Sequence, residues 1–262
     1  MMEELERTYY IKSFSIQGLW GYKNLNWEHI NPDVNILVGI NGSGKTTLLN
    51  IMHAYYSNET KELKKFQGSF KGSPDMGELH TITYLRSFDN PVADKRRGES
   101  PLMQELNNVV FQNKEGSSFF NYRMKMLDYP SRAKHIQENI NELFSVINNF
   151  FIDTNKEIEI SKGNNSTLVF KQADNTISLE QLSAGEKQLL LILLKVFLLE
   201  RKPAVIFMDE PEISLHIRWQ REIINAIKKL NPNSQLIIST HSPGMFGDGW
   251  GDKVIYMEDL FK

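Results

Sequence analysis

Residues 39–46 read Gly-Ile-Asn-Gly-Ser-Gly-Lys-Thr, which fits the pattern G-x-x-x-x-G-K-[ST]. In such a turn the backbone N–H groups lead into a helix N-terminus and point at a bound phosphate, reinforced by the helix dipole. The glycines at 42 and 44 let the backbone come close, Lys45 is placed to reach β- and γ-phosphates, and the Thr46 hydroxyl to ligate Mg²⁺. The expected nucleotide contacts are Asn41, Gly42, Ser43, Gly44, Lys45, Thr46 and Thr47. A plain glycine turn capping a helix is the rival reading, and the strand-like and helix-like flanks favour the nucleotide, read as ATP.

Residues 205–210, Val-Ile-Phe-Met-Asp-Glu, form an apolar run ending in two adjacent carboxylates. In a parallel sheet such a strand end faces the same edge as the phosphate loop. Asp209 is then placed to support Mg²⁺, and Glu210 to polarise an attacking water as general base. On its own the run could be a core strand ending in solvated acids. His241 follows the next apolar run and could hydrogen-bond the γ-phosphate or the water, although a lone loop histidine is more often structural. Residues 182–186, Leu-Ser-Ala-Gly-Glu, carry a capping box, Ser183 with Glu186 three residues on. A capped tip with small residues is also a place to hold the γ-phosphate of another subunit's ATP.

The elements that must position these groups can be read from periodicity. Residues 9–27 hold strand-like pieces broken near Gly18 and Gly21, and residues 34–38 form a short apolar strand entering the glycine loop. Leu48, Leu49, Met52 and Tyr56 predict a helix over 46–56. Residues 57–77 read as loop, 79–85 as a strand, and 89–129 as polar and poorly periodic. An apolar stripe from Ile136 to Ile147 predicts a helix over 131–151. A hairpin over 157–161 and 167–171 follows, turning at Gly163-Asn164-Asn165. Helices over 186–199 and 217–230 then alternate with strands over 204–208, 236–239 and 254–257. The fold class is α/β with a mainly parallel sheet, an N-terminal antiparallel part and a helical insertion. One domain over 1–262 is expected, with a helical lobe at 88–156.

At 262 residues, 40% apolar and 24% charged, the chain can bury a real core. A net charge of −2 advertises neither nucleic acid nor an anionic membrane, and the absence of cysteine excludes disulfides and thiolate metal sites. The acidic, polar first seven residues do not read as a signal peptide. The greasiest run, 189–199, is interrupted by Lys195 and falls short of the roughly 20 apolar residues of a membrane span. A soluble, cytoplasmic protein is expected.

Glycine loop, L-S-A-G-E, hydrophobic-D-E-P and S-T-H-S-P in this order resemble the ATP-binding-cassette ATPases. They are most similar to the soluble branch that contains RecF, SMC heads, and the OLD-like and PARIS- or Septu-type defence ATPases. Residues 209–216, Asp-Glu-Pro-Glu-Ile-Ser-Leu-His, are typical of that branch, where transporter cassettes carry S-A-L-D. The resemblance implies a head-to-tail homodimer, or a higher homo-oligomer, sandwiching two ATPs. Each ATP would lie between one glycine loop and the partner copy's tip, where Ser183, Gly185 and Glu186 lie. It implies residues 212–216 at the seam, and an upstream aromatic on adenine, for which Trp20 and Tyr22 are the candidates unless they are simply core.

Two departures stand out. No Q-loop glutamine can be placed, because Arg86-Ser87 follows the 79–85 strand while Gln67 and Gln104 fall in loops. The 134 residues between Thr47 and Leu182 hold one good helix of about 30 Å, with no sustained heptads for a long coiled-coil arm. Lys61, Lys64, Lys65 and the run 95–97 could contact a phosphate backbone or be solvated surface, so nucleic acid stays open. Met124, Met126, Phe119 and Phe120 read as packing rather than partner surface.

Three functions compete: an ATP-dependent dimerising switch controlling a separate effector in anti-phage defence, a RecF-like DNA-repair clamp, and a transporter cassette. The string at 212–216 speaks against the last. With no acidic metal cluster for an appended nuclease, the destructive activity is expected on another polypeptide.

Overall fold

Strand β3 (Val34–Val38), buried over its first four residues, runs directly into the glycine loop. The structure is a computed structural model describing residues 10–79, 81–86, 99–111, 118–161, 167–247 and 249–261. The chain divides into two compact units, one of residues 1–87, 202–212 and 233–262, the other of residues 88–201 and 213–232.

In the first unit a five-stranded sheet runs β11–β3–β10–β9–β5, every pair parallel. Its strands are β5 (Ile82–Arg86), β9 (Ala204–Asp209), β10 (Ser234–Ser239) and β11 (Val254–Tyr256) around β3. Every residue of β10, and five of six in β9, is buried, as expected of central strands in a parallel sheet. The register sets the site: Asp209 pairs with Ser239 on one side and Arg86 on the other, at one edge of the sheet.

Helix α1 (Lys45–Tyr56) leaves the loop and packs Leu48, Leu49 and Met52 into a core shared with Leu37, Val205, Phe207 and Ile237. The far side of α1 meets a three-stranded antiparallel sheet of order β2–β1–β4, made of β1 (Ser13–Leu19), β2 (Lys23–Trp27) and β4 (Ser69–Ser73). Phe14 of β1 sits 5.4 Å from the Tyr55 ring, edge to face. Residues 57–77 are therefore not only loop: α2 (Thr60–Leu63) and β4 lie there. Strand β4 carries Gly72, whose added Cβ would fall 2.2 Å from the Tyr56 hydroxyl. The small residues that read as loop thus make room for α1.

The second unit is mainly helical. Helices α3 (Pro101–Val110) and α4 (Phe119–Asp128) occupy the stretch expected to be poorly periodic. Ser100 caps α3 by accepting from the Met103 N–H, Pro101 takes the first turn, and Leu102, Met103, Leu106, Val109 and Val110 form the buried stripe. Ten-residue helices give too few repeats for periodicity to stand out. Helix α5 (Ala133–Phe151) is the long amphipathic helix that the pattern predicts. The hairpin is present as β6 (Glu157–Ile160) against β7 (Leu168–Gln172), extended by β8 (Asn175–Ile177). Its expected turn, residues 163–165, lies outside the described residues, as do His80 within the 79–85 strand and the charge run 95–97. Helix α6 (Ala184–Phe197) is buried nearly all round. Helix α7 (Ile217–Leu230) donates its Trp219 indole N–H to Phe150 O at 2.8 Å. No helix among the described residues is long and apolar enough to cross a membrane.

Candidate functional site

Helix α1 begins without a side-chain cap and with no acidic residue in its first turn. Its N-cap is Gly44 at φ 101°, and Gly42 stands at φ 78°, a region open to glycine at little cost. The first N–H groups of a helix need partners, and here no side chain caps them. Gly44 is also fixed by space, since an added Cβ would lie 3.0 Å from Trp20 Cη2. The Ser43 hydroxyl is buried with no hydrogen-bond partner among the described residues. An uncapped helix start, two glycines with positive φ and an orphaned buried hydroxyl together fit a phosphate group.

Around this loop the parallel sheet assembles the polar side chains. Lys45 Nζ donates to Gly39 O at 3.0 Å and Ile40 O at 3.3 Å, which holds the ammonium against the loop. Burial pushes its pKa below the usual lysine value, opposed by the carboxylates of Glu210, Asp209 and Glu212. Thr46 Oγ1 donates to Asp209 Oδ1 at 3.0 Å, and Ser239 Oγ donates to the same oxygen. One hydroxyl and one carboxylate side by side suit Mg²⁺, which keeps water and substrate phosphate for its other ligands.

Glu210 lies one residue past β9 at φ 46°, the left-handed region that a non-glycine residue rarely enters. Its N–H donates to Ser239 O at 3.0 Å, which holds the turn. The turn points its carboxylate at His241: Oε1 stands 3.2 Å from Nε2. That same nitrogen is 2.8 Å from Lys45 Nζ. Nε2 can accept from Lys45 only when unprotonated, and can donate to Glu210 only when protonated. The tautomer of His241 therefore decides which neighbour it serves. Glu212 fixes the histidine loop, its Oε1 accepting from Thr240 Oγ1 at 2.6 Å and from the His241 N–H at 2.9 Å.

Lys45, Thr46, Asp209, Glu210 and His241 thus come together, with the loop residues Asn41 to Thr47. Glu212, Ser239 and Thr240 add positioning bonds that spacing alone does not reveal, although they sit inside the D-E-P-E and S-T-H strings. Arg86 takes the strand-end place beside Asp209, with its guanidinium 4.9 Å from the Tyr84 ring. Trp20, at 40% exposed, packs beside Gly44, while Tyr22 is 72% exposed. Neither is core. Gln67 lies beside Gly21, and Gln104 donates to Glu99 O.

The second group lies in the helical unit. Ser183 caps α6: its Oγ accepts from the Glu186 N–H at 3.3 Å, and Glu186 Oε2 accepts from the Ser183 N–H at 2.8 Å. Ser183 is exposed while Gly185 and Glu186 are buried. Gly185 has no room for a side chain, since a Cβ there would lie 2.2 Å from Ser214 O. The other Glu186 oxygen accepts from Lys156 Nζ at 2.6 Å, a pair with little exposure on either side chain. Nothing in the spacing of Lys156 and Glu186, thirty residues apart, marks them as partners. Both Glu186 oxygens are engaged, so its part at this tip is to hold Ser183.

The chain matches the AAA ATPase domain family over residues 55–246. It belongs to that family. The match starts after the glycine loop, so the loop and the family match are independent observations. This AAA ATPase is 27% identical to the Septu protein PtuA of Bacillus thuringiensis, over 90% of this chain and 72% of that one. It is 24% identical to the "Retron Vc95 probable ATPase" of Vibrio cholerae over 72% of this chain, spanning 39% of that relative's length. Among solved structures it is similar to the Smc head bound to the C-winged helix domain of ScpA. That likeness has a TM-score of 0.60 at 12% identity, over 94% of each chain, and establishes the SMC-head type of α/β fold.

Proposed function

We propose that this AAA ATPase is a nucleotide-driven switch whose two copies close on two molecules of ATP and control a separate effector in anti-phage defence. The observation that carries the reading is a pair of unlike helix starts. One is bare and surrounded by Lys45, Thr46, Asp209, Glu210 and His241; the other presents an exposed Ser183 on a capped tip. The likeness to PtuA and to the retron ATPase supports the defence setting.

In this reading residues 1–262 form one ATPase domain with a helical lobe at 88–156. The loop N–H groups, with Asn41, Ser43 and Thr47 alongside, hold the phosphates, and Lys45 neutralises the β- and γ-oxygens. Trp20, beside the loop, is placed for the adenine, with Tyr22 as the second candidate. Thr46 and Asp209 would hold Mg²⁺, which neutralises charge on the phosphate oxygens. Glu210 takes a proton from the water whose oxygen bonds the γ-phosphorus, as the bond from that phosphorus to the β–γ bridging oxygen breaks. His241, from beside Glu210, orients the water or the γ-phosphate. Ser183 and the backbone at Gly185 of the partner copy complete the grip on the γ-phosphate, and Glu186 keeps that tip in shape.

Replacing Glu210 with Gln keeps the side chain's size and removes its basicity. Turnover should fall by about 10²–10⁴-fold, the usual worth of a general base, while MgATP stays bound. Light scattering should then show a trapped dimer. A monomer saturated with MgATP would overturn the sandwich, and an unchanged rate would remove Glu210 from its role.

A further inference from the structure

Helix α4 is apolar on two faces. Phe119 and Tyr122 turn inward, their rings 6.4 and 4.8 Å from Phe197. Phe120, Met124 and Leu127, at spacings of four and three, make a second stripe on the exposed side, where Leu127 is 71% exposed. Exposed Phe111 and Tyr129 flank the helix at its two ends in sequence. The expectation that Phe119, Phe120, Met124 and Met126 are packing holds for Phe119, whereas Phe120 and Met124 are exposed. A surface helix normally turns a polar face to water, and contiguous exposed apolar residues mark interaction sites.

The charges around the stripe select the occupant. Residues 118–134 carry Arg123, Lys125, Arg132 and Lys134 against the single carboxylate Asp128, in a chain of net charge −2. Lys125 is engaged by Glu200 at 2.7 Å and Lys134 lies 4.0 Å from Glu138. Arg123 and Arg132 have no carboxylate partner among the described residues. A second copy docking symmetrically on this face would bring like cations together. Three apolar side chains on ten residues fall short of the extended apolar faces that lie on bilayers.

We infer that α4 is a docking face for an amphipathic helix of another polypeptide, one whose apolar residues at three- and four-residue spacing are flanked by Asp and Glu. This names the surface a separate effector would use and rests on that part of the proposed function, but requires no bound nucleotide.

The test places photoreactive benzoylphenylalanine at position 124 of the full chain in its native host and maps the cross-linked peptide by mass spectrometry. The expected adduct is with another polypeptide, within a helical segment of that acidic pattern. Leu127→Glu or Arg123→Glu should each lower its yield at least about tenfold, as losing an apolar anchor or a complementary charge does. Melting temperature and ATP turnover, measured on the same preparations, should not change. An adduct with lipid, with a second copy or with a basic or extended segment would overturn the inference, and so would no adduct from a folded chain. Normal turnover without an adduct would sink the docking face alone; an adduct with no turnover would sink the nucleotide reading alone.

Discussion

Helices α1 and α6 start in opposite ways. Helix α1 follows a glycine at φ 101°, with no side chain answering its first N–H groups. Helix α6 follows a serine whose hydroxyl and backbone are both engaged with Glu186, itself tied to Lys156. At α1 the bare N-terminus follows a glycine loop and stands beside Lys45, Thr46 and Asp209, which suits a partner from outside, because orphan N–H groups are costly without one. A helix N-terminus closed by its own residues is instead a rigid tip. What the α6 tip can still offer is the exposed serine hydroxyl and the N–H groups just behind it. Under the proposed function, binding strength belongs to α1 and orientation to α6.

That division is most exposed to test by paired substitutions. Lys45→Ala removes the ammonium held against the loop by two main-chain carbonyls, and ATP affinity measured by fluorescent-nucleotide titration should fall by about a hundredfold or more, two charge-assisted contacts' worth. Ser183→Arg should leave monomer affinity within about twofold and abolish turnover, because only the second copy's tip is blocked. If Ser183→Arg weakened ATP binding by the monomer as Lys45→Ala does, the contrast between the helices would fail.

A smaller effect tests the rigidity of the tip. Lys156→Met leaves the Glu186 carboxylate buried beside its cap without a counter-charge. Breaking a buried pair on one side costs about 3–5 kcal/mol; the small exposure left to Lys156 puts this pair toward the lower figure. Denaturant unfolding should show the loss, and Lys156→Arg should restore most of it. Full stability in Lys156→Met would mean that the cap stands without its buried support. Gly185→Ala comes next: the added methyl meets the main-chain oxygen of Ser214, which cannot swing away as a side chain could. Overpacking of this kind costs about 1–3 kcal/mol, to be read as a lower melting temperature.

How much of this was legible beforehand follows from which interactions are local. The glycine loop, the apolar strand ending at Asp209 and the Ser183–Glu186 box are each written within a few residues, so spacing reveals them. Helix α7 was readable to both ends because its apolar period runs between His216 and Asn231. Strand β4 was not, since Ser-Phe-Lys-Gly-Ser becomes a strand only by pairing with β1 more than fifty residues away. Lys156 and Glu212 were silent for the same reason: a lysine or glutamate becomes a positioning residue only through the partner the fold brings to it. The exposed stripe on α4 was hidden differently. Periodicity locates apolar faces and cannot say that a helix has two, one of them left outside.

The smallest expected effect separates the two jobs of Ser183. Ser183→Ala removes the hydroxyl that accepts from the Glu186 N–H and keeps the backbone N–H that Glu186 itself receives. Losing an N-cap side chain costs about 1 kcal/mol. In a chain of this size that lowers the melting temperature by only about 2–4 °C. Were capping its sole task, turnover measured well below the melting range would stay as it was, because the folded population hardly changes. The proposed grip on a partner's γ-phosphate predicts instead that turnover falls by about tenfold, the worth of one charge-assisted hydrogen bond, while Ser183→Thr, which keeps cap and hydroxyl, recovers both quantities. A melting shift without a rate change would leave α6 as scaffold only, and the contrast between the two helix starts would then concern folding rather than catalysis.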